Sequence, residues 1–287
     1  MEPQKKTCIN QILEIIPNLK NHHSPYDPIY KFFESLSEQE IEYRFSSKSE
    51  SPSEFYKFGD FVFPFREMGD LNSLGLFRFD ELIVLSFYWQ NRKKYKNVLD
   101  IGANIGLHSI ILDKCGFNVR SFEPDPITFE ILKNNLYLNQ SKSVKIFNKA
   151  ISDKKGKASF VRLCGNIAGS HLSGDKPNPY GKIETFEVDI EPIVSHLEWA
   201  DFAKIDVEGH EKVILLATEK QHWEKLDAII EIGNPENGRA IFDHMSSLGV
   251  SMYPQKINWE KAKTFKDLPD NYKEGNVFLS SRGPMLW

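Results

Sequence analysis

Three features of this chain predict an α/β fold built on a doubly wound sheet. Short apolar runs alternate with amphipathic segments from residue 97 to residue 248. The first run ends in a glycine-bearing turn, DIGANIG. Two later runs end in acidic boxes, FEPDP and KIDVEGHE. Strands that alternate with helices are joined by crossovers, which makes neighbouring strands parallel. In such a sheet, ligands bind at the carboxyl ends of strands near the switch in strand order.

Taken in order, residues 1–60 read as a mainly helical extension, a lid or an oligomerisation arm, and residues 61–287 as the main domain. The extension carries two helical patterns. One is Ile9, Ile12, Leu13 and Ile16, and the other is Ile29, Phe32, Phe33 and Leu36, ending near Ser37. Residues 46–54, SSKSESPSE, form a polar linker. Residues 55–65 read as a strand pair or an apolar lid, and residues 79–95 as a helix. The spacing then predicts strands at Asn97–Ile101, Asn118–Phe122, Val144–Asn148, Ala158–Arg162, Phe202–Ile205 and Ala228–Ile232. Helices are predicted at Gly106–Lys114, Pro126–Asn139, His210–His222 and Gly238–Leu248. Val250–Lys256 and Asn276–Ser281 are strands with no helix between them, hence an antiparallel hairpin or edge pair.

Composition removes several function classes. A hydrophobic fraction of 40% supports a sizeable core, and a net charge of -4 supplies no field for gripping nucleic acid. The lysines of residues 142–157 read as a solvated face. Cys8, Cys115 and Cys164 are far apart, without a CxxC pair, so neither a disulfide framework nor a cysteine zinc site is expected. The first residues lack a signal-peptide core, and no run reaches the roughly 18 apolar residues of a membrane helix. A cytoplasmic protein is therefore expected, with its oligomeric state open, a homodimer included.

The turn at Asp100, Gly102, Asn104 and Gly106 suits a nucleotide-like cofactor. A dinucleotide fingerprint would need glycine where Asn104 stands, and no phosphate loop of the GxxxxGK[ST] type is present. An acid ahead of a GxNxG turn instead suits the ammonium-bearing end of S-adenosylmethionine. Glu123, followed by Pro124 at the end of the next strand, is placed to accept from both ribose hydroxyls. Asp125 before Pro126 reads as a helix N-cap. Ala150 and Ile151 can pack on the adenine, and Ser152 or Asp153 can meet its amino group.

Acid–base groups gather in KIDVEGHE. His210 is the candidate general base, with Asp206 and Glu208 orienting the acceptor; Asp206 also borders the cofactor. Glu211 reads as a first-turn acid favoured by the helix dipole. Glu231, ending the next strand, lies beside Asp206, and the two could hold a divalent cation or an acceptor hydroxyl. Residues 163–180, with Gly165, Asn166, Gly169, Ser170 and His171, form the expected acceptor side, where His171 is a second possible base.

DIGANIGLHS, FEPDP, NKAISDKKG and KIDVEGHE together resemble the FkbM family of S-adenosylmethionine-dependent methyltransferases, from about Asn97 to Leu248. The resemblance implies a seven-stranded Rossmann-like sheet whose last strand is antiparallel. It implies O-methylation of a sugar, glycan or glycosylated natural product. It also makes Glu81 a cofactor-site candidate, although Phe79-Asp80-Glu81 departs from the family's Tyr-Glu. The alternatives are a non-catalytic binding module on the same scaffold and a methyltransferase with a non-carbohydrate acceptor.

Overall fold

A computed structural model describes residues 8–69, 71–164, 166–176 and 181–287. Its centre is a seven-stranded sheet of β1 (Asn97–Ile101), β2 (Asn118–Phe122), β3 (Val144–Phe147), β8 (Phe202–Ile205), β9 (Asp227–Ile230), β10 (Ser251–Pro254) and β11 (Val277–Ser280). The strand order is β10-β11-β9-β8-β1-β2-β3. β9, β8, β1, β2 and β3 run parallel, and β11 lies antiparallel between β9 and β10. The order reverses between β1 and β8. Val98, Leu99, Ala203, Ile205, Ala228 and Ile230 are all buried, as expected for strands covered on both faces.

The helices are α1 (Cys8–Ile15), α2 (Pro28–Phe45), α3 (Phe79–Gln90), α4 (Leu107–Lys114), α5 (Pro126–Leu138), α6 (Val194–Leu197), α7 (Glu211–Leu216) and α8 (Pro235–Ser247). Asp27, Asp125 and Asn234 cap α2, α5 and α8, each followed by proline at the first helical position. α3 buries nearly every residue, because it lies between α1 and α2 on one side and the sheet on the other.

Several sequence expectations change. α2 runs to Phe45, past Ser37, and buries Tyr30, Ile41 and Phe45 while Ile29 and Phe32 face solvent. Phe55, Phe61 and Phe63 join the core against Phe45 and Phe77, and only a two-residue ladder forms there. α7 stops at Leu216, and a separate 3-10 turn, Lys220–Glu224, follows. The strand expected at Ala158–Arg162 does not enter the main sheet. It is part of β5 (Gly156–Leu163) in a second, four-stranded sheet with β4 (Ala150–Ser152), β6 (His171–Leu172) and β7 (Ile183–Pro192), in the order β6-β5-β7-β4. This sheet has its own small core of Ala150, Phe160, Leu172, Val188 and Ile190.

The turn between α1 and α2 is stitched to the segment after β10. The Ser24 N–H donates to Asn258 Oδ1 at 2.7 Å, and Gln255 Nε2 donates to the His23 carbonyl at 3.0 Å. His23 is fully buried; its Nδ1 accepts from the Trp259 indole at 2.9 Å and its Nε2 donates to the Ile16 carbonyl at 2.9 Å. That pairing fixes the neutral tautomer, and burial pushes its pKa down to about 4. The unfolded chain therefore binds the extra proton between about pH 6.5 and pH 4, so stability falls as pH falls through that window. The expected loss is about 3 kcal/mol. Urea midpoints at pH 7 and pH 4.5 check this: a His23→Gln variant should show a flatter pH slope than wild type, and an equal slope would refute the assignment.

Candidate active site

The β1 loop is shaped by register. Ile101 pairs with Ile205, which sets Gly102 against the backbone of Asp206. A Cβ on Gly102 would stand 1.7 Å from the Asp206 carbonyl oxygen, and its φ of +81° already favours glycine. Gly106 packs on Leu132 of α5 and lines neither of the two cavities described below. Asp100 also lines neither of them: it is fully buried, and Oδ2 accepts from Ser109 Oγ at 2.5 Å. Its other oxygen has no protein partner among the described residues. Asp100 and Gly106 thus shape the loop, whereas Gly102 and Asn104 border the cavity.

That cavity opens at the carboxyl ends of β1, β2 and β8. Glu123 stands at its mouth, 7% exposed. One carboxylate oxygen accepts from the Asn104 N–H and the other from the Asp125 N–H, both at 2.9 Å. Burial nevertheless pushes the Glu123 carboxyl up to about 8. Pro124, Ala150 and Ile151 line the wall, with Phe122, Phe160 and Leu172 adding apolar surface. Asp125 caps α5 as expected and also holds Arg162 of β5 through Nε and Nη2 at 2.6 and 2.7 Å. That bidentate pair clamps the second sheet over the cavity. A carboxylate above an apolar slot fits an adenosyl group.

A second cavity adjoins the first along Asn104, Asp206, Glu208 and Ala168, which line both. Asn72, Arg78, Asn166, Asp175, Lys176, Glu231, Asn234 and Tyr272 complete its polar surface. Lys204 reaches Asp206 at 2.9 Å; burial opposes its charge, but Asp206, Asp100 and Glu81 outweigh this and raise its pKa. Glu208 adopts a φ of +58°, a left-handed conformation rare outside glycine, and pairs with Lys176. Such strain concentrates at functional loops. Glu211 folds back to accept the Val207 and Gly209 N–H groups at 2.8 and 3.0 Å, which fixes the loop's shape.

His210 faces the first cavity, and both ring nitrogens are engaged: Nε2 with Ser152 Oγ at 2.9 Å and Nδ1 with the Asp175 carboxylate at 3.0 Å. Neither nitrogen opens on the second cavity. His171 is buried, with Nδ1 on the Gly169 carbonyl at 2.9 Å. Glu81 lines neither cavity; it receives His108 Nε2 at 3.1 Å, whose Nδ1 meets the Tyr88 hydroxyl at 3.0 Å. Asp206 and Glu231 do come together at adjacent strand ends, but no three metal-ligating side chains converge among the described residues. Gly165 and residues 177–180 of the expected acceptor loop lie outside the described residues.

Sequence reasoning did not single out Arg78, Lys176, Tyr272 and Phe160, although Lys176 falls in the stretch expected on the acceptor side. The first three reach the second cavity from segments far apart in the chain, without a local motif. For Phe160 a signal existed: Phe186, Val188 and Ile190 alternate with acids, the pattern of a half-buried strand that would have revealed its sheet.

A doubly wound sheet with β11 reversed, and a cleft at its β1–β8 switch point, define a Rossmann-like methyltransferase architecture. A family model for the methyltransferase FkbM domain matches residues 100–252, more than half of the chain, and the chain belongs to that family. It is 26% identical over 176 residues to methyltransferase sdnD of Sordaria araneosa, covering 50% of this chain and 68% of that protein. Methyltransferase 1 of Beauveria bassiana is 23% identical over 155 residues, covering 46% and 62%. A solved S-adenosylmethionine-dependent methyltransferase from Agrobacterium tumefaciens superposes with a TM-score of 0.44 at 10% identity, covering 79% of this chain and 68% of that one. No helix among the described residues is long and apolar enough to cross a membrane.

Proposed function

We propose that this methyltransferase uses S-adenosylmethionine to methylate a hydroxyl on a sugar, glycan or glycosylated natural product. The observation that carries the reading is the shared border of the two cavities at Asn104, Asp206 and Glu208. A donor held in the first faces an acceptor held in the second. The cofactor supplies an electrophilic methyl group. Glu123 holds the ribose, Ala150 and Ile151 flank the adenine, and Asp206 and Glu208 hold the acceptor hydroxyl at the seam. The amides of Asn166 and Asn234, with the Arg78 guanidinium, suit a carbohydrate's hydroxyls. The leaving proton passes to the carboxylates of the second cavity, which makes in-line alignment the protein's main task.

Incubation with methyl-labelled cofactor and a panel of glycans, followed by mass analysis, tests this. A labelled methyl ether on a sugar supports it; transfer only to a non-carbohydrate acceptor overturns the substrate class. Absence of cofactor binding in calorimetry would point to a non-catalytic module.

In this reading His210 is a positioning residue, because its two hydrogen bonds tie residues 152 and 175 across the donor cavity. His210→Ala should raise the cofactor KM about tenfold while kcat at saturation changes little. A fall of about 10²–10⁴-fold in kcat with an unchanged KM would instead make it the general base.

A further inference from the structure

Tyr272 enters the second cavity from a 3-10 turn, Tyr272–Glu274, between β10 and β11. The tip of its ring lies against the backbone of Gly233, just after β9. A Cβ on Gly233 would stand 2.1 Å from Cζ of Tyr272 and 2.3 Å from its hydroxyl oxygen. Gly233 has no positive φ, so its own backbone does not call for glycine. The missing side chain instead leaves a notch that seats the phenol. Lys176, which pairs with Glu208 at the border of the two cavities, places Nζ 5.1 Å from the ring centroid. The turn is pinned from below. Glu274 is buried; its carboxylate accepts the Asp270 N–H at 2.7 Å, pairs with Lys256 at 2.8 Å and accepts the Tyr26 hydroxyl of the N-terminal extension. The Tyr272 hydroxyl itself has no hydrogen-bond partner among the described residues, although it lies at the wall of a polar cavity. Burial, then the carboxylates of Glu208, Glu211 and Glu231, raise its pKa, so it stays protonated and able to donate.

We propose that Tyr272, seated in the notch at Gly233, is a specificity-determining residue of the acceptor site, whose hydroxyl bonds one hydroxyl of the sugar. The inference rests on the reading of the second cavity as the acceptor site. A fixed phenol can select in a way that a mobile side chain cannot, because its oxygen is held at one place on the wall. An acceptor that lacks the matching hydroxyl leaves that oxygen without a partner and is used less well.

Transfer of labelled methyl from S-adenosylmethionine to monosaccharide glycosides and their single-deoxy analogues tests it. Wild type should use one deoxy analogue roughly tenfold or more less well than its parent. Tyr272→Phe should raise the parent's KM about three- to tenfold and bring that one analogue within about twofold of it. Gly233→Ala should raise the same KM by a similar factor, because the ring must leave its notch. In a Tyr272→Ala background, Gly233→Ala should add nothing, since no ring remains to be displaced. An unchanged calorimetric affinity for S-adenosylmethionine shows that each variant is folded. The inference fails if Tyr272→Phe leaves both the KM and the deoxy preference as in wild type. It also fails if Gly233→Ala costs as much without the Tyr272 ring as with it. If wild type labels a non-carbohydrate acceptor alone, the sugar reading falls, and the Gly233–Tyr272 cycle on that acceptor decides whether Tyr272 reads it. A wild type that labels no acceptor overturns both.

Discussion

Replacing Glu123 by alanine is expected to weaken S-adenosylmethionine binding by about 10²–10⁴-fold. The carboxylate closes the end of β2, where it can accept from two ribose hydroxyls while its oxygens also receive the Asn104 and Asp125 N–H groups. A hydrogen bond to a charged group contributes about 1.5–3 kcal/mol, so two of them span the stated range. The alanine variant also strands two backbone donors, at a cost of about 1–3 kcal/mol in stability. Glu123→Gln keeps the shape and isolates the charge, and its affinity should fall by roughly 10–10²-fold. The pH dependence adds a second readout. Burial pushes the free carboxyl up to about 8, so below that pH a proton must leave before the ribose is bound by the ionised form. Affinity should rise by up to about tenfold per unit from pH 6 to pH 8 and then level, and Glu123→Gln should abolish that slope. Calorimetry across this range settles the role, and an unchanged affinity in the alanine variant would remove Glu123 from the ribose site.

The sequence made the central sheet legible for a plain reason. β1, β8 and β9 are short and covered on both faces, so they read as apolar runs bounded by polar turns. That Glu123 and Asp206 line the cleft was legible because strand ends in a doubly wound sheet border the place where ligands bind. The second sheet escaped because β5 and β7 show only one face to a small core, and their pairing is reinforced by Arg162 and Glu184, which meet only after folding. Asp100 lines neither cavity for a similar reason. Its partner Ser109 comes from the helix that follows, and that contact turns the carboxylate into the protein interior. His210 carried the right residue type for a base, but its partners Ser152 and Asp175 come from a strand and a loop of the neighbouring sheet. The FkbM motifs line the first cavity, whereas the second drew on Arg78, Lys176 and Tyr272, which no motif joins.

Gly102→Ala is expected to cost about 3–5 kcal/mol of stability and to remove cofactor binding. Two independent terms add. A residue with a side chain pays about 1–2 kcal/mol in the left-handed conformation that Gly102 adopts. The new methyl would also stand 1.7 Å from the Asp206 carbonyl oxygen and 2.9 Å from its carbon. Both atoms belong to backbone fixed by the β1–β8 ladder, so neither can swing aside as a side chain would. The ends of β1 and β8 must part, and that moves Asp206 at the seam between donor and acceptor. Two other glycines supply the comparison. Gly106→Ala meets the end of the Leu132 side chain at 2.6 Å, which can rotate, so about 1–3 kcal/mol is expected. Gly116→Ala has a φ of +89° and open space around it, so only the conformational term of about 1–2 kcal/mol applies. Urea unfolding of the three variants should rank them in that order, with donor binding lost only at position 102. If Gly102→Ala costs no more than Gly116→Ala, the close approach of the β1 loop to Asp206 is not what requires glycine, and the seam between the cavities does not depend on it.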